Sequence, residues 1–85
     1  MTKTQLAIFN ALQKLEAYNE TRNHPVLNKA IAALRTPAEA RTLMWDDGKA
    51  YDHAMYLINQ DSDKFEQDEK AWLRANNFLP KLWRA

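Results

Sequence analysis

The sequence predicts an all-α fold, a small four-helix domain with a long third helix and a short docked C-terminal tail. Three observations predict it. Apolar residues recur at the helical period through most of the chain, a single glycine (Gly48) and three prolines leave few turn formers, and 85 residues give room for one core only. A β domain of this size would need Gly-rich turns between many short strands. Two separate cores would each be too small for apolar burial to outweigh chain entropy.

The first helix is expected over about 4–20. Thr4 can cap it, and Ile8, Phe9, Leu12 and Leu15 fall on one arc at 100° per residue, with Ala11 and Tyr18 on the flank. A polar connector, residues 21–24, leads to a second helix at 25–35. Pro25 suits its first turn, and Val26, Leu27, Ala30, Ile31 and Leu34 share one side.

Thr36, Pro37 and Glu39 form the strongest local signal, with Thr at the N-cap, Pro at the first helical position and Glu two residues further on, as in a capping box. A third helix is therefore expected from residue 37. Asp46, Asp47 and Gly48 look like a break in it, but Ala40, Leu43 and Met44 share an arc with Ala50, Tyr51, Ala54, Met55, Leu57 and Ile58 as though no residue intervened. Phase thus favours one helix over 37–60, carrying the cost of about 1 kcal/mol for an interior Gly.

A fourth helix, 63–76, can be capped by Asp61 or Ser62 and has a thin apolar side of Phe65, Trp72 and Leu73 with Ala75 at its edge. Asn76 and Asn77 suit its end. Residues 77–85 form an apolar and basic tail interrupted by Pro80.

The chain has no Cys, which removes disulfides, thiolate metal sites and thiol catalysis. No stretch approaches the roughly 20 apolar residues of a membrane span, and the first 15 residues lack the unbroken apolar run of a secretory signal, so a cytoplasmic protein is expected. The net charge of +1 hides a pattern: residues 1–45 carry +3, residues 46–69 carry −6, and residues 70–85 return +4.

Two His are present, and neither stands in a Ser–His–Asp or phosphate-loop spacing. Glu39, Asp46 and His53 share a helical face at seven-residue spacing, but seven residues rise about 10.5 Å, too far for consecutive members to reach one metal. No catalytic residue, metal or cofactor is expected.

On a continuous third helix, Trp45, Lys49, Asp52 and Tyr56 line the side away from the core arc. One reading makes this stripe a partner-binding face, because Trp and Tyr among a few charges are common interface anchors. The competing reading packs Trp45 and Tyr56 beneath the first helix or the tail. Asp47 falls on the apolar arc, where it needs either a basic partner such as Arg22 or Arg74 or a local break that frees it. Lys70, Arg74, Lys81, Trp83 and Arg84 interleave cations with aromatics and could grip phosphates and stack on bases.

The expectation for function is a non-enzymatic protein-interaction module, an adaptor or inhibitor that binds another protein through the aromatic and acidic helical face. The alternative is a nucleic-acid-binding accessory protein that uses the basic C-terminal segment. No membrane partner is expected. A homodimer is a further arrangement that an aromatic stripe allows.

Overall fold

The computed structural model describes residues 2–78, and every regular element among them is helical. Five α-helices follow in order: α1 (Lys3–Asn19), α2 (Pro25–Arg35), α3 (Ala38–Arg41), α4 (Asp47–Ile58) and α5 (Phe65–Ala75), with a 3-10 turn at Ser62–Lys64 leading into the last. No helix among the described residues is long and apolar enough to cross a membrane.

The first helix is capped two residues earlier than expected, by Thr2 in place of Thr4. Thr2 accepts from the Gln5 backbone N–H at 3.1 Å while the Gln5 side chain accepts from the Thr2 backbone N–H at 2.9 Å, which closes a reciprocal capping box. The α1–α2 corner is an asparagine network. Asn19, buried at the end of α1, donates to the Asn28 side chain at 2.7 Å and accepts from the His24 backbone N–H at 2.7 Å, and Asn23 takes the left-handed φ of 47° that a tight reversal needs. His24 then caps α2 by accepting from Val26 N–H, with Pro25 at the first helical position as expected.

The expected helix over 37–60 is two helices. Thr36 does not cap the first of them, because its hydroxyl donates back to Ala32 O at 3.3 Å, and α3 runs for only one turn before residues 42–44 close as turns. Asp46 then caps a fresh helix, accepting from Lys49 N–H at 2.7 Å. The break turns Trp45 into the core, where it is 2% exposed, and leaves Leu43 at 75%. Matching phase on the two sides of Gly48 was therefore no sign of continuity: Ala40 and Leu43 are exposed, whereas Ala50, Ala54 and Leu57 are buried.

The core is assembled from Ile8, Leu12 and Leu15 of α1, Leu27 and Leu34 of α2, Leu57 of α4, and Phe65 and Leu73 of α5. α1 packs chiefly along α4, whose Ala50 and Ala54 are fully buried and let the two backbones approach closely. At the end of α5, Asn77 takes φ 49°, Phe78 N–H reaches Leu73 O at 2.7 Å and Asn77 N–H reaches Arg74 O at 3.2 Å. This Schellman-type cap turns Phe78 inward, to 3% exposure. The expected docking of the tail concerns residues that, beyond Phe78, lie outside those described.

Candidate functional site

Of the expected stripe, Trp45 precedes α4, whereas Lys49, Asp52 and Tyr56 lie on it. Trp45 is buried, so it belongs to no exposed face. Lys49 and Asp52 are exposed, while Tyr56 stacks on Trp72 with ring centroids 4.5 Å apart and planes 20° apart. The Tyr56 hydroxyl donates to Asp68 O at 2.7 Å, and its pKa is raised by burial and then by the nearby Asp68 and Glu69. Tyr56 therefore works as a clasp between α4 and α5.

Beneath this clasp lies the least expected feature of the molecule. His53, fully buried on α4, holds Nε2 3.1 Å from Oε1 of Glu69, itself 3% exposed on α5. Aromatic rings enclose the imidazole: Trp45 at 4.8 Å, Phe78 at 5.6 Å and Trp72 at 5.8 Å between centroids. Burial drives both groups toward their neutral forms. It pushes His53 down to about 3 and Glu69 up to about 8, so near neutral pH Glu69 keeps its proton and His53 stays uncharged. Both carboxyl oxygens are shut off from solvent, which leaves the pair as a neutral polar contact joining two helices.

Sequence reasoning weighed His53 only as a metal ligand and counted Glu69 among the acidic stretch. The signal for the pair was nevertheless present. His53 lies on the arc of Ala50, Ala54 and Leu57, and Glu69 on the arc of Phe65, Trp72 and Leu73, so each periodic pattern carries one polar residue into the core.

The basic partner that Asp47 requires is Arg41. Its Nη2 lies 3.0 Å from Asp47 Oδ1, and its Nη1 donates to Leu34 O at 3.2 Å and to Thr36 O at 2.8 Å. One buried guanidinium thus satisfies carbonyls at the end of α2, where the helix dipole is negative, and anchors the first turn of α4. Arg22, considered for this role, instead lies 3.8 Å over the Tyr18 ring and donates to Tyr18 O, and Arg74 is exposed on α5.

Among the described residues, three of the surface grooves bear on function. A groove of about 680 Å³ between α1 and α2 is polar, lined by Gln13, Asn23 and Asn28 among others. A second, of about 630 Å³, runs between α1 and the α2–α3 junction past Ile8, Phe9, Leu12, Leu34 and Pro37. The third, of about 280 Å³, separates α2 from α5 and has Lys29, Lys70 and Arg74 in its lining. Of the residues expected to contact nucleic acid, Lys70 and Arg74 are therefore together on one helix face, and Lys81, Trp83 and Arg84 lie outside the described residues. Among the described residues, no three of His, Asp and Glu stand close enough to hold a metal ion together. No family model matches the chain, and neither a curated protein nor a solved structure matches it.

Proposed function

We propose that this protein is a non-enzymatic interaction module of the cytoplasm that binds another protein through the outer flank of α1. The observation that carries this reading is the exposure of two large apolar side chains one turn apart. Leu6 is 51% and Phe9 47% exposed, and Phe9 stands at the edge of the groove floored by Ile8, Leu12 and Leu34. Half-exposed apolar residues beside an apolar-floored groove suit a helix or loop that inserts its own anchor side chain. The acidic and aromatic face of α4 supports the reading less, because Trp45 is buried and Tyr56 is engaged with α5.

The test is capture from a lysate of the source cells at near-physiological salt, with and without nuclease, using the native chain and a Leu6→Ser/Phe9→Ser variant. A protein retained in near-stoichiometric amount by the native chain and lost by the variant supports the proposal. Equal retention by both removes α1 as the binding surface. Bound material that vanishes with nuclease would replace the reading by a nucleic-acid-binding accessory protein.

A further inference from the structure

The groove between α2 and α5 gathers charge from segments some 40 residues apart. Lys70 and Arg74, one turn apart on α5, face Lys29 of α2 across it. The one opposing carboxylate that reaches solvent there is Glu66, and it lies 3.5 Å from Lys70 Nζ in an exposed pair worth little. Lys29 and Arg74 form no ion pair among the described residues, so the groove holds three cations against one anion.

Its remaining wall does not cancel that charge. Glu69 lines the groove, but its oxygens are closed to solvent with Oε1 against His53, and burial keeps its carboxyl protonated near neutral pH. Val26 and Leu73 give the groove an apolar wall, beside which the field of the surrounding cations is screened less than in open water. Val26 also sits in the first turn of α2, where the helix dipole adds partial positive charge.

We infer that this groove is a binding site for a phosphate group. An excess of two positive charges matches a phosphate dianion, the guanidinium of Arg74 can offer a two-pronged contact, and Lys29 and Lys70 supply point charges from either side. A volume of about 280 Å³ leaves room beyond the phosphate for a short apolar body against Val26 and Leu73. The same chemistry could arrive on a small phosphate ester or on a nucleic-acid strand. The inference does not rest on the α1 surface, which lies on other residues.

Amide chemical-shift titrations of the full chain, near neutral pH and at low salt, test it with three probes: inorganic phosphate, phenyl phosphate and a single-stranded oligonucleotide. Saturable shifts confined to Val26, Lys29, Lys70, Leu73 and Arg74 are expected, with phenyl phosphate tighter than inorganic phosphate. Lys29→Gln and Arg74→Gln, both at exposed positions, should each weaken phenyl phosphate about fivefold, as expected for loss of one partly solvated charge contact, whereas Lys14→Gln on α1 should not. Unsaturable shifts, shifts spread over cations elsewhere, or an equal loss from Lys14→Gln would overturn the site. An oligonucleotide that displaces phenyl phosphate from these amides supports the site with a nucleic-acid strand as the source. One that leaves phenyl phosphate bound supports it with a small ester.

Discussion

Arg41 and Asp47 lie 3.0 Å apart across the turn that separates α3 from α4, and their ion pair explains why the chain breaks there. A continuous helix would carry Asp47 along the apolar arc without a cation. The break lets Asp46 cap α4 and brings Asp47 to a guanidinium already bound to two carbonyls at the end of α2. Removing Arg41 costs more than the pair contributes, because it leaves two carbonyls at the end of α2 and a carboxylate only 26% exposed without their donor.

Arg41→Ala should accordingly destabilise the fold by about 3 kcal/mol, a large share of the stability of so small a domain. Asp47→Asn keeps the shape and a hydrogen-bond acceptor and should cost about 1 kcal/mol. Urea unfolding followed by circular dichroism measures both. An Asp47→Asn midpoint equal to the native one would show that the ion pair adds nothing to a neutral hydrogen bond.

The cap and the single glycine are coupled. A Cβ on Gly48 would stand 3.3 Å from Asp46 Oδ1, the oxygen that caps α4. Asp46→Ala should lose about 1 kcal/mol of cap. Gly48→Ala alone should change stability by less than about 0.5 kcal/mol, because the gain in helix propensity is offset by displacement of the cap. In the Asp46→Ala background the same change should stabilise by close to 1 kcal/mol. A double-mutant cycle reads the coupling, and strict additivity would disprove the link.

The His53–Glu69 pair predicts how stability depends on pH. The folded pKa of Glu69, about 8, lies above its ordinary 4.5, so its contribution is fully present below about 4.5 and is lost as pH rises toward 8. The folded pKa of His53, about 3, lies below its ordinary 6.5, so its contribution is present above 6.5 and is lost as pH falls toward 3. The two slopes cancel between about 4.5 and 6.5, which leaves a plateau with a fall on each side. From 6.5 to 8 the loss should be about 2 kcal/mol. Glu69→Gln should flatten that alkaline limb and keep the acid one, as thermal unfolding across the pH range would record. An unchanged alkaline limb would mean that Glu69 is not protonated in the folded state.

Burial of Trp45 has an optical consequence. In a Trp72→Phe/Trp83→Phe variant, Trp45 should emit at short wavelength and resist acrylamide, in keeping with its 2% exposure. Emission at the wavelength of solvated Trp would return this ring to the surface and restore the α4 stripe as a candidate interface.

The helical class and the approximate places of α1, α2 and α5 were legible in local chemistry: one apolar stripe per helix, Pro25 in a first turn and Asn77 past a C-terminus, whereas Asp61, expected to cap the last helix, caps the 3-10 turn before it and α5 starts at Phe65 behind Lys64. The break before Asp47 was visible as the run Asp46, Asp47, Gly48, yet periodicity outvoted it, because a phase match records where side chains would point if the helix continued and not whether it does. The partner of Asp47 could not be read at all. Which arginine reaches it depends on how α2, α3 and α4 meet. The same holds for His53 and Glu69. The sequence by itself placed each on an apolar arc, but only the packing of α4 against α5 brought them within 3.1 Å. Local propensity and periodicity are properties of neighbouring residues along one helix, whereas burial, ion pairing and the shared groove of Lys29, Lys70 and Arg74 arise between helices, where the cost of leaving a polar group unmatched selects the arrangement.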